Sequence, residues 1–203
     1  MKRASYPQLL AVLFLALAAA FPARAAPLTL EEAMAERSLG QPNAKLVVYE
    51  YASLTCPHCA KFHLEVLPEV KKKYIDTGKL RWVYRDYPLD GRAAVAAMAA
   101  RCAPKERYFP FLDALFRGQE KWARAPDVHA ALAPTARLAG LSQADYDACV
   151  KNEALLKAIA KVAEEATAQF QVNSTPSFVA GGKKIELGTS FKSADKALSA
   201  LLK

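Results

Sequence analysis

Four residues, Cys56-Pro57-His58-Cys59, stand directly after the apolar run 46–51 and directly before a segment in which Phe62, Val66, Val70 and Tyr74 recur at helical spacing. Two cysteines two residues apart at the first turn of a helix can close a small, reducible disulfide. Pro57 suits the first helical position, where its missing N–H is no loss. The first-turn amides and the helix dipole favour negative charge, so Cys56, nearer the open end, is expected to be a thiolate near neutral pH. His58 can add positive charge close to that sulfur. A sulfur stabilised as thiolate leaves easily, so the disulfide form is expected to be a strong thiol oxidant.

Zinc is the competing reading, with Cys56, Cys59 and either His58 or His63 as ligands. Structural zinc sites have four ligands, usually in two matched pairs. The other two cysteines, Cys102 and Cys149, lie far from this pair and from each other, with no second short spacing. The sequence therefore predicts neither a metal nor an organic cofactor.

The N-terminus reads as a secretion signal: Lys2 and Arg3, the apolar run 9–20, then Ala23-Arg24-Ala25 as a small-residue cleavage site. Residues 1–25 are the expected signal peptide and Ala26 the first mature residue. The run is short for a bilayer span, and no later stretch approaches that length. An exported, soluble product follows, with retention as an uncleaved anchor the lesser alternative, and the periplasm is the expected compartment. Cleavage removes three basic residues and no acid, lowering the formal charge from +8 to +5. The basic residues are scattered apart from Lys71-Lys72-Lys73, which reads as a solvated helix face, so nucleic-acid binding is not indicated.

Residues 28–39 suggest a short helix, and Gly40-Gln41-Pro42-Asn43 a turn into the first core strand. Pro68 is expected to kink the helix that follows the cysteines. Residues 80–85 alternate as a second strand. From about Arg92 to Gln171 the chain is rich in alanine and leucine and has almost no strand signal. Helices are expected over 92–103, 105–117, 127–139, 142–150 and 152–171, with Pro104, Gly118, Pro126 and Gly140 as breakers. Strand character returns at 177–180, turns at Gly181-Gly182, continues through 183–187, and gives way to a final helix capped by Ser193. The pattern is an α/β domain split by a helical block.

Cys102 and Cys149 both fall on helices of that block. In an exported protein a structural disulfide is the simplest explanation, with two free buried cysteines as the alternative. Closing a loop of this size is worth about 4 kcal/mol in the chain-entropy model.

Cys56-Pro57-His58-Cys59 after a strand, Thr175-Pro176 before a late strand and the intervening helical block together resemble the DsbA family of thiol:disulfide oxidoreductases, over essentially the whole mature length. The resemblance implies a thioredoxin fold, a central mixed β-sheet flanked by helices, with an inserted helical domain. The expected division is an N-terminal extension at 26–44, a thioredoxin-like domain at 45–86 and 173–203, and the insertion at 87–172. It further implies that Cys56 is the nucleophilic, solvent-facing cysteine, that Cys59 is its buried partner, and that the Thr175–Pro176 bond is cis beside the redox pair. Proline has no N–H, which leaves the backbone of Thr175 free to pair with an extended substrate segment.

Glu50 is the one acid in an otherwise apolar strand. In the resembling family an acid in this place lies beneath the buried cysteine and helps move its proton, and burial would bring its pKa toward the working range. The alternative is a surface glutamate on an alternating strand. His63 reads as a helix-face residue, and His129 has no partner visible in the sequence.

The implied activity is a monomeric dithiol oxidase that acts on reduced, unfolded exported proteins and is reoxidised by a membrane quinone-linked partner of the DsbB type. The nearest rival is a disulfide isomerase or reductase held reduced by a membrane partner, because threonine before the proline is frequent among isomerases. Isomerases of this fold usually oligomerise through an added N-terminal region, for which residues 26–44 look too short. A rival of another class is a periplasmic metal-binding or chaperone module.

Overall fold

The computed structural model describes residues 28–203; the expected signal peptide lies outside them. The chain runs through α1 (Leu30–Met34), β1 (Arg37–Leu39), β2 (Leu46–Ala52), α2 (Pro57–Lys61), α3 (Leu67–Val70), β3 (Leu80–Asp86), α4 (Gly91–Cys102), α5 (Tyr108–Arg117), α6 (Gln119–Ala123), α7 (Val128–Leu138), α8 (Gln143–Val150), α9 (Glu153–Phe170), β4 (Ser177–Ala180), β5 (Lys183–Ile185) and α10 (Phe191–Leu201). The sheet order is β1-β3-β2-β4-β5. Among the described residues only β2 and β3 pair in parallel; the other three pairings are antiparallel. This is the mixed sheet flanked by helices that a thioredoxin fold requires.

The N-terminal segment departs from the expected helix over 28–39. Thr29 and Glu32 form a reciprocal capping box that starts α1, and the helix ends after Met34. Residues 37–39 then pair with β3, Arg37 opposite Tyr84. A three-residue strand carries too little alternation to be read locally, so pairing with β3 decides its conformation. Gly40, at φ +93°, makes the turn that follows; a Cβ there would stand 2.5 Å from the Leu80 carbonyl oxygen.

Between Pro57 and Ile75 the helical run alternates α and π turns, with π segments at Phe62–Val66 and Lys71–Ile75. Pro68 is the second residue of α3, and just ahead of it Leu67 N–H donates to the Phe62 carbonyl five residues back. The wider turn precedes the residue that cannot donate.

Trp82 packs in a stacked arrangement on Phe62 with ring centroids 5.7 Å apart, and Phe178 closes on Phe62 at 4.7 Å. This cluster fills the space between the sheet and the helices after the cysteines. A second, larger core lies among α4, α5, α7, α8 and α9. In α4, Ala93, Ala96, Ala97, Ala99 and Ala100 are all buried, so this helix is apolar nearly all round because neighbours cover nearly all of it. A disulfide joins Cys102 at the end of α4 to Cys149 in α8, with Cα atoms 6.2 Å apart and a sequence separation of 47.

Smaller differences have local causes. The 105–117 segment opens with a 3-10 turn before α5. The last helix is capped by Ser190, and Ser193 is its third residue, returning the capping-box contact. Helix α6 lies between Gly118 and Pro126, where the sequence predicts no helix.

Candidate active site

Cys56 occupies the N-cap position of α2, with extended backbone (φ −79°, ψ 120°), and Pro57 is the first helical residue. The apolar strand β2 delivers the chain to this point. A tight turn follows, in which Cys56 N–H donates to Ser53 O at 3.1 Å. Three residues outside the turn hold it. Leu89 N–H donates to Ser53 Oγ at 3.2 Å, the Thr55 hydroxyl to Asp90 Oδ2 at 2.7 Å, and Gln119 Nε2 to the carbonyls of Leu54 and Cys56 at 2.7 and 3.0 Å.

Both cysteines are free thiols here. Cys56 retains 6% of its surface and Cys59 none. Cys56 is thus the more accessible of the two, yet far less open than the solvent-facing residue expected. The Thr175 loop accounts for this: the Cys56 thiol donates to Thr175 O at 3.3 Å, and the Thr175–Pro176 bond is cis. The Thr175 hydroxyl makes no hydrogen bond of ordinary geometry, although it stands close enough to the sulfur to favour its charged form.

The two thiols are driven apart in acidity. Hydrogen bonding from Cys59 is the main force holding the Cys56 thiol down at about 5; burial opposes it, and Thr175 and the backbone N–H groups of Cys59 and His58 add to it. Burial is the first cause pushing Cys59 well above the ordinary thiol range, and the negative charges of Cys56 and Glu50 push it further. His58 is exposed, and its contribution to the Cys56 sulfur comes through its main-chain N–H.

Glu50 is fully buried rather than on a surface. One carboxylate oxygen accepts from Trp82 Nε1 at 2.9 Å, and the other has no partner. Burial pushes its pKa up to about 7, with the Trp82 hydrogen bond pulling the other way. A carboxyl group poised there, coupled electrostatically to Cys59, is suited to proton exchange near neutral pH.

His63 is buried against Phe116, ring centroids 4.7 Å apart, where desolvation lowers its pKa to about 4. The reading of an ordinary helix-face residue missed this packing. His129 has a partner in Tyr146, whose hydroxyl lies 3.3 Å from Nδ1. Among the described residues no three His, Cys, Asp or Glu side chains are grouped so as to hold a metal ion. Sequence reasoning also missed Ser53, Thr55, Asp90 and Gln119. Asp90 carried a usable signal, since it caps α4 through Ala93 N–H at 2.8 Å; Gln119 carried none.

The thioredoxin family model matches residues 32–200. A protein-disulfide oxidoreductase by name from Rickettsia conorii is 33% identical over 164 residues, covering 79% of this chain and 59% of that protein. The chain thus spans less than two thirds of the length of the curated relatives it matches first. Among solved structures, alpha-DsbA1 of Wolbachia pipientis superposes with a TM-score of 0.74 at 32% identity, covering 83% of this chain and 92% of that one. A protein-disulfide isomerase from Novosphingobium aromaticivorans follows at 0.71 and 28%, covering 83% and 97%. BdbD of Bacillus subtilis shares the fold at 0.73 with 17% identity, over 87% and 96%. With the fold, the paired cysteines and the cis-proline loop in place, these likenesses agree: the chain belongs to the thioredoxin family, as one of its DsbA-like members.

Proposed function

We propose that the protein is an exported dithiol oxidase that passes the Cys56–Cys59 disulfide to reduced proteins. A substrate thiolate attacks the Cys56 sulfur, a mixed disulfide forms, and the Cys56–Cys59 bond breaks with its electron pair on Cys59. Cys59 leaves toward Glu50, which supplies the proton. A second substrate thiolate then attacks its own sulfur in the mixed disulfide, the substrate disulfide forms, and Cys56 departs as thiolate. Two electrons have moved from substrate to enzyme, and a membrane quinone-linked partner of the DsbB type takes them up.

The observation that carries this reading is the opposed acidity of the two sulfurs, Cys56 near 5 and Cys59 far above it. A leaving group that stable favours the reduced enzyme, which is the property of an oxidant. Thr175 and Pro176 hold the substrate segment beside Cys56, and His58 acts through its amide. The parts 45–86 and 173–203 carry the chemistry, 87–172 is inserted between them, and the Cys102–Cys149 bond braces the insert. Export to the periplasm is supported by the charge, apolar run and small-residue pattern of residues 1–25.

A disulfide isomerase is the second reading. Thr175 ahead of the proline favours it, and the Novosphingobium aromaticivorans structure bears that name. The potential of the Cys56–Cys59 pair in glutathione buffers, measured on a Cys102→Ser/Cys149→Ser variant, tests the proposal. A value well above the glutathione couple is expected, and one near that of thioredoxin removes the oxidase reading.

A further inference from the structure

Gln119 opens α6, a five-residue helix far from the redox motif in sequence, and its side chain is buried against the redox turn. The single nitrogen Nε2 spends both of its hydrogens there, one on Leu54 O at 2.7 Å and one on Cys56 O at 3.0 Å. The Cys56 carbonyl also accepts the Ala60 N–H of the first helical turn at 3.1 Å. The amide therefore bridges the turn that precedes Cys56 and the carbonyl that opens the helix.

We propose that Gln119 is a positioning residue for the redox centre. It fixes the backbone of 54–56 so that the Cys56 sulfur stays aligned with the N–H groups of His58 and Cys59. Those groups favour the charged sulfur only while Cys56 keeps its N-cap position ahead of them, and within the turn itself that position is held by the bond to the Ser53 carbonyl and the Ser53–Thr55 hydroxyl contact at 3.2 Å. Thr55 and Asp90 fasten the opposite side of the turn. The Gln119 carboxamide is neutral, so it supplies this restraint without a charge that would compete with the thiolate. The helices between β3 and β4 thereby set the reactivity of a cysteine that lies outside them.

The proposal rests on a redox role for Cys56, and its test reads a difference between variants rather than the wild-type potential. Gln119→Met keeps the volume and removes both donors. Thiolate absorbance against pH is expected to show the Cys56 pKa rising by about one unit, a tenfold weaker oxidising equilibrium, or about 30 mV for a two-electron couple. Trp122→Phe is the control: it deletes another buried donor of the same helix, Nε1 to Leu115 O at 2.7 Å, and is expected to lower stability without moving the Cys56 titration. Gln119→Asn, which retracts the amide by one methylene, is the second variant if the first does not fold, with a smaller shift in the same direction. In the unaltered reduced protein, the two Gln119 side-chain amide protons are expected to be slow to exchange and to shift with the Cys56 titration. An unmoved Cys56 titration in either folded variant, or Gln119 protons that exchange freely and ignore the titration, overturns the proposal. A low wild-type potential with the variant shift intact would remove the oxidase reading alone.

Discussion

Glu50 sits in the middle of β2, opposite Tyr84 on one side and Phe178 on the other, and among the described residues the Trp82 indole is the one side-chain donor to its carboxylate. One donor cannot balance the loss of water around a carboxylate, so the acid titrates near 7 instead of near 4.5. The folded protein then holds a proton that the unfolded chain releases between those two values. Stability contributed by this group is present below about 4.5 and is lost as pH rises toward 7. Glu50→Gln removes the titration but leaves an amide with one unmatched donor group. Denaturant unfolding at pH 8 is expected to show the variant more stable by about 2 kcal/mol, with the advantage gone at pH 4. Under the proposed mechanism, in which Glu50 supplies the proton, the same variant is expected to slow the departure of Cys59. A stability difference independent of pH would mean that Glu50 is solvated in solution.

Between elements, the packing depends on a buried ion pair that sequence periodicity does not reveal. Asp86, at the end of β3, accepts from Arg101 Nε of α4 at 2.6 Å, and Arg101 Nη1 donates to Ala35 O just after α1. Both side chains are almost wholly enclosed. Arg37 of β1 reaches the Arg101 carbonyl, and the two guanidinium groups lie 5.2 and 5.4 Å from the Tyr108 ring centroid. Arg101→Met is expected to cost about 3–5 kcal/mol, because it leaves Asp86 charged and buried without its partner, and Asp86→Asn in the same chain should return part of that. Additive losses in a double-mutant cycle would show that the two residues act separately. These contacts also explain what was legible in the sequence. The redox motif, β2, β3 and the long helices announce themselves through local spacing, turn residues and caps. β1, the bridge from Gln119 and the burial of Arg37 arise from residues more than forty positions apart in sequence, and nothing local encodes them. Glu50 stood between the two kinds: its position in an apolar strand was visible, while its burial came from the strands on both sides.

At the scale of the whole molecule, the redox pair couples the oxidation state to the stability of the fold. In the dithiol form the folded structure lowers the Cys56 pKa from 9.0 to about 5, so folding is favoured by the thiolate wherever the unfolded chain would still hold that proton. Closing the disulfide removes the charge and with it this contribution, while a loop this short constrains the unfolded chain little. The reduced protein is therefore expected to be the more stable form at pH 7, by on the order of 5 °C in Tm. The sign follows from linkage: a depressed pKa gives stability that is lost as pH falls through about 5 and grows as pH rises toward 9. Cys59 acts in the opposite sense above that point, because its raised pKa keeps a proton in the fold that the unfolded chain gives up. The difference between the two forms should thus vanish near pH 4, widen through neutrality and turn over near pH 9. Burial of Glu50 is common to both forms and largely cancels. Paired thermal unfolding of the reduced and oxidised protein across that range measures the curve directly. A flat difference between pH 5 and 8, or an oxidised form more stable than the reduced one at pH 7, would mean that the fold does not stabilise the Cys56 thiolate and that the driving force for disulfide transfer lies elsewhere.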